Sequence, residues 1–254
     1  MTRDAAAPAA PPVLEPLATF FAATALASAL YWTGQAVPLV QANLHGAIAI
    51  IFLYAPAVAA RVSGRPFDYA EAGLRLRPLG RALAVAGLGL LVTWPFFLGA
   101  FLLFYGHVCS RGAGALAQYW AETFAPLCAQ WQGVRGARLH LPPDLLLLAA
   151  SQLLVVAIPE ELFFRGYLLG RFEERWPSRR RLAGAPVGVP LLLSSALFAL
   201  GHVLVDLDPR RLTVFFPALV FGWMRARSGT IVAGALFHAA CNLFSEVLHD
   251  SFFW

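Results

Sequence analysis

The chain has 254 residues, of which 59% are hydrophobic and 13% charged, with a formal net charge of +5. A soluble domain carries about a quarter charged residues, so the composition excludes an ordinary water-soluble globule and points to an all-α, polytopic membrane bundle. All 19 basic residues are Arg and sit mainly in loops between apolar runs. That pattern reports membrane topology, and no basic, aromatic-interleaved soluble face exists to bind nucleic acid.

Residues 1–16, rich in Ala and Pro, read as a disordered tail ahead of a single membrane domain over 17–254. A bilayer span needs about 20 mostly apolar residues. From Pro16 to Ala60 there is no Asp, Glu, Lys or Arg. This stretch holds two expected spans, 17–34 and 44–60, with "GQAVPLVQANLHG" as the turn. A third span is expected over 82–105, a fourth over 145–170, a fifth over 188–205, a sixth over 212–224 and a seventh over 230–248.

The Arg distribution orients the seven spans. Arg61, Arg65, Arg75, Arg77 and Arg81 fall in one loop, Arg171, Arg175, Arg179, Arg180 and Arg181 in another, and Arg225 and Arg227 follow the sixth span. With the N-terminus cytoplasmic, all of these face the cytoplasm, while Arg111, Arg135, Arg138, Arg210 and Arg211 lie outside. The Arg-only, Ala-rich composition suggests a bacterial source, so the expected location is a bacterial cytoplasmic membrane. The loop 106–143 is then external, where Cys109 and Cys128 either pair or stay as two thiols.

The fourth span contains "IPEELFFRGYLLG", residues 158–170. An ionisable residue at the centre of a lone membrane helix costs about 2.5–3.5 kcal/mol by insertion scales. Glu161 and Arg165 are spaced i, i+4 and can pair on one face. Glu160 is rotated about 100° from Glu161 and needs a partner from another helix. "FALGH" places Phe198 and His202 one turn apart, and "HAACN" does the same for His238 and Asn242. At a rise of about 1.5 Å per residue, Glu160, His202 and His238 lie roughly 16–18 Å from Arg- or Pro-marked cytoplasmic ends, so they meet at one level in a cavity read as cytoplasm-accessible. A carboxylate, two imidazoles and an amide together have the parts for hydrolysis.

"EELFFR", "FALGH" and "HAACN" resemble, in order, the three motifs of the CPBP intramembrane proteases, which include the type II CAAX prenyl endopeptidases. The resemblance covers about 145–250, with "AGLRLRP" a faint echo of a loop that family members carry before a span. It implies that Glu160 activates the attacking water, that His202 and His238 complete the site, that Asn242 helps to stabilise the oxyanion, and that Glu161 and Arg165 shape the site. The family has been described as metal-dependent and as glutamate-dependent. If a zinc or another divalent metal is required, its ligands would be Glu160, His202 and His238; the sequence favours Glu-activated water, because no H-E-x-x-H is present. The implied partners are membrane lipid and a membrane-associated protein or peptide substrate, with C-terminal tail or sorting-signal processing as the expected role. The rival readings are a non-hydrolytic peptide-binding or bacteriocin-immunity protein and, less well supported, a transporter or proton relay.

Each motif also has a purely structural reading: a charge pair inside the bundle for Glu161 and Arg165, and polar contacts between helices for His202, His238 and Asn242. Phe198 and Cys241 read as packing, Glu246 as solvated, and Asp206 and Asp208 as a solvated turn. His45, His107, His140 and His249 carry no expected role. "RFEERWPSRRR" reads as a cytoplasmic charged loop that could also dock anionic lipid.

Overall fold

The computed structural model describes residues 13–109, 118 and 122–253. Seven long helices form the bundle: α1 (Leu14–Ala36), α2 (Pro38–Ser63), α3 (Leu79–Val108), α4 (Leu145–Arg175), α5 (Val189–Asp206), α6 (Phe215–Ser228) and α7 (Val232–Phe252). By length and composition, α1 to α5 are apolar enough to cross a bilayer. The 14-residue α6 and the 21-residue α7, which carries Glu246 and Asp250, complete the bundle. The expected tail lies largely outside the described residues, and α1 already begins at Leu14.

The outside of this bundle is apolar. Leu91 on α3 is 74% exposed and Leu146 on α4 is 86% exposed, with Phe96, Leu103 and Leu154 also bare. Such a surface would drive aggregation in water but matches lipid. The polar groups are inside instead: Glu161 and Arg165 are fully buried. α4 is the central element, touching α1, α2, α5, α6 and α7.

Several boundaries depart from expectation for local reasons. Val37 alone, in an extended conformation, separates α1 from α2, and Pro38 opens α2 at the position where a missing N–H costs nothing. The expected turn therefore contributes two helical turns, and His45 stands on α2. The sixth span starts later than expected, because Pro209–Val214 form a 3₁₀ turn capped by the Asp208 carboxylate, which accepts from the Arg210 N–H. Between α4 and α5, two short strands, β1 (Arg180–Leu182) and β2 (Ala185–Val187), form a hairpin. Its turn residues Ala183 and Gly184 both have positive φ, as a tight hairpin of this twist requires. The charged loop is thus partly ordered.

α4 is not a regular helix. Wider π-type turns span Gln152–Ala157 and Leu162–Leu168, with one α-helical turn, Ile158–Glu161, between them. Pro159 supplies a reason for the first: it lacks an N–H and its ring crowds the preceding turn, and a wider turn relieves both. The Ser194 hydroxyl on α5 donates to the Phe164 carbonyl at 2.7 Å, reinforcing the second.

The loops bearing Arg61 to Arg81, Arg171 to Arg181, and Arg225 and Arg227 gather at one end of the bundle. There the segment 64–78 folds back onto the α6–α7 turn. The Ile231 N–H donates to Gly73 O, the Thr230 hydroxyl to Gly73 O and Arg75 O, and Arg225 to Ala72 O and Glu71 O. Gly73, at φ +101°, makes the reversal possible. At the same end, Glu15 accepts from Arg65 and from the Tyr167 hydroxyl, tying α1 to α4. At the other end, Cys109 and Cys128 form a disulfide, which settles their pairing. Arg210 there lies over the Phe124 ring of the same loop, 5.5 Å from its centroid.

Candidate active site

The α turn of α4 aims Glu160 and Glu161 at different neighbours. Glu161 accepts from Arg165 at 2.9 Å, and both side chains are wholly buried. Arg165 also donates to the Ala218 carbonyl on α6 at 3.2 Å and lies over the Phe198 ring at 4.2 Å. The spacing that suggested a charge pair is therefore realised, and the guanidinium is further enclosed by Phe164 and Phe221. Phe198, which reads in the sequence as packing, gives the cation an aromatic face.

His238 on α7 stands between the two carboxylates. Its Nδ1 is 3.4 Å from Glu161 Oε1, in ion-pair range though not aligned for a hydrogen bond, and its Nε2 is 3.9 Å from Glu160 Oε2. The imidazole stacks on Phe221 with centroids 4.7 Å apart. This approach of α7 depends on Gly234, where an added Cβ would lie 2.7 Å from Glu161 Oε2 and 3.4 Å from the Phe221 carbonyl. Gly234→Ala is expected to destabilise the protein by about 1–3 kcal/mol through overpacking, read as a lowered thermal unfolding temperature in detergent, and to push α7 away from α4.

Glu160 faces the other way, into a cavity of about 250 Å³ between α1, α2, α4 and α5. His202 shares this cavity, with Tyr31, His45 and Asp206 among its other walls. His202 Nδ1 lies 2.9 Å from the Phe198 carbonyl. A carbonyl can only accept, so Nδ1 carries the proton and Nε2 is the ring nitrogen left for a ligand. Glu160 Oε2 is buried without a hydrogen-bond partner, as are Glu161 Oε2 and His238 Nδ1. Unmatched buried polar atoms are costly, and their concentration here marks the site rather than the core.

Asn242 behaves differently. Its amide donates to Gln152 Oε1 on α4 at 2.9 Å, and it is not part of the cavity wall that holds Glu160 and His202. The structure therefore brings Glu160, Glu161, Arg165 and His238 together, sets His202 with Glu160 on the cavity wall, and places Asn242 in a separate α4–α7 pair. A zinc ion on Glu160, His202 and His238 does not fit this arrangement. Among the described residues no three His, Cys, Asp or Glu side chains converge as a metal site, and no step is assigned to a metal.

The direction of the opening is a correction. The cavity does not run to the Arg-rich end. Its outer wall is Tyr31 near the end of α1, Gln41 and His45 near the start of α2, and Asp206 and Arg211 after α5. Asp206, expected as a solvated turn residue, pairs with Arg211 at 2.8 Å at the mouth. Toward the Arg-rich end the path is filled by Phe20, Phe163 and Tyr167, all buried, with Phe52 stacked on Phe163 at 5.0 Å. Depth measured from the Arg-bearing ends set the level of the groups but not which end of the bundle stayed open. His45 and Gln152 were missed. Only the helical register of α2, with its abrupt Pro38 start, would have put His45 on the cavity side.

The helices form a multi-pass membrane bundle in which a carboxylate and imidazoles gather around an internal cavity. Residues 142–244, from just before α4 to most of α7, match the family described as type II CAAX prenyl endopeptidase Rce1-like, a likeness to a membrane protease-type hydrolase. The match contains all three motifs and leaves out α1–α3, which supply Tyr31, Gln41 and His45 to the cavity. Searches of curated proteins and of solved structures gave no match.

Proposed function

We propose that the protein is an intramembrane endopeptidase that hydrolyses a peptide bond in a membrane-associated protein or peptide, removing a C-terminal tail or sorting signal, in a bacterial cytoplasmic membrane. The observation that carries this reading is Glu160: a carboxylate with one oxygen buried and unpartnered, on the wall of a cavity it shares with His202, beside His238. In the proposed reaction a water in the cavity gives its proton to Glu160 as its oxygen attacks the peptide carbonyl. His202 Nε2 orients that water by accepting its second hydrogen, or donates to the oxyanion when protonated. His238, held near both carboxylates, passes a proton to the leaving amine. Glu161 and Arg165 position the helix turn that carries Glu160. Asn242 acts through Gln152 on the first wide turn of α4, in place of the oxyanion role its motif implies.

The test is a comparison of membrane and secreted proteomes from a null strain and from the same strain carrying Glu160→Ala. Under the proposal, the same polypeptides keep their C-terminal tails in both. If Glu160→Ala restores the native termini, hydrolysis is wrong and a peptide-binding role replaces it.

A further inference from the structure

We infer that the site is served from the extracytoplasmic face of the membrane, so that its substrates are polypeptide segments already delivered to that face. The substrate part rests on the hydrolase reading; the sidedness does not. Three features of the molecule converge on it. The cavity containing Glu160 and His202 ends at Tyr31, Gln41, His45, Asp206 and Arg211. The opposite direction is closed by the Phe20, Phe52, Phe163 and Tyr167 layer, and behind it by the cluster in which Glu15 holds Arg65 and Tyr167. The mouth and the plug are therefore at opposite ends of the bundle.

The two ends are chemically labelled. The plugged end carries the loops with Arg61 to Arg81, Arg171 to Arg181, and Arg225 and Arg227, the Arg excess that marks the cytoplasmic side. The open end carries the Cys109–Cys128 disulfide, and disulfides persist in oxidising compartments rather than in the cytosol. Arg210, next to the mouth residue Arg211, lies over Phe124 of the disulfide loop, so the cross-linked loop and the mouth are on one side of the membrane. Arg bias and thiol chemistry are independent signals and agree.

The mouth also describes what enters. It is a polar ring, with the Asp206–Arg211 pair beside Tyr31, Gln41 and His45, leading to walls of Ala27, Leu44, Ile48 and Val205. At about 250 Å³ the space falls below the roughly 300–1,000 Å³ of a drug-sized ligand pocket. It suits one or two side chains of an extended strand threaded from water, such as the tail of an exported or outward-anchored polypeptide, and not a folded partner.

The experiment places single reporter thiols in a Cys241→Ala background that keeps the disulfide. Gln41→Cys, with His45→Cys as a second variant should the first fail to fold, reports the mouth. Arg179→Cys reports the hairpin end. Spheroplasts are treated with a membrane-impermeant maleimide before and after lysis. The expected result is that the mouth thiol labels equally well in both, whereas Arg179→Cys labels about tenfold more after lysis, as a cytoplasmic group should. Any other pattern overturns the inference. Labelling does not depend on catalysis, so a correctly sided protein that cleaves nothing would sink the hydrolase reading alone. A tail cleaved when held in the cytosol but spared when exported would overturn the substrate class.

Discussion

Glu160→Gln is expected to lower peptide hydrolysis by about 10²–10⁴-fold, the usual contribution of a general base, while leaving the thermal unfolding temperature of the purified protein unchanged or raised. The second half of that result is what separates this residue from its neighbour. Glu160 Oε2 is buried with no hydrogen-bond partner, and its distance to His238 Nε2, 3.9 Å, is too long for a bond. The folded protein therefore carries a carboxylate it has not satisfied, and neutralising it removes a desolvation cost. Stability held below its optimum at a reacting group is a common signature of function. The measurement is a cleavage rate on a tail peptide together with a melting curve. A variant that keeps near-native activity would rule out Glu160 as the base; one that loses activity only because it unfolds would make the residue structural.

The opposite behaviour is expected of the neighbouring Glu161–Arg165 pair. Arg165→Leu leaves the Glu161 carboxylate and the Ala218 carbonyl without their donor in a fully buried setting. Breaking a buried pair from one side costs about 3–5 kcal/mol. Glu161→Leu should cost a similar amount by stranding the guanidinium. The double replacement should lose much less than the sum of the two, because no unpaired charge remains. Unfolding measured across this four-member cycle checks the claim. Additive losses would mean that the two side chains do not act as a pair.

Much of this architecture was readable from hydropathy. A bilayer demands long apolar runs, so α1 to α5 left a clear signal, and charged residues inside the fourth run stood out at Glu160, Glu161 and Arg165. The three motifs announced His202, His238 and Asn242. What hydropathy could not carry was rotation and local pitch. Gln41 and His45 look like loop residues because polar side chains near a helix end are ambiguous, and only the one-residue link at Val37 turns them toward the cavity. The partnership of Asn242 with Gln152 requires knowing how far α4 is unwound, and the open end of the cavity depends on which aromatic side chains interlock. None of these has a period or a spacing to detect.

The two unwound stretches of α4 have a mechanical meaning. In a uniform helix each residue advances the azimuth by about 100°. A wide turn accommodates one extra residue, so Gln152–Ala157 and Leu162–Leu168 act as slack on either side of Glu160. The short stretch bearing the two acids is thereby uncoupled from the ends of its own rod. Its bearing is fixed by what Glu161 touches, namely Arg165 one turn on and Gly234 across from it, while Ser194 holds the second wide turn at Phe164. Tightening either stretch back to regular pitch would swing Glu160 off the cavity without altering a single one of the residues that line it.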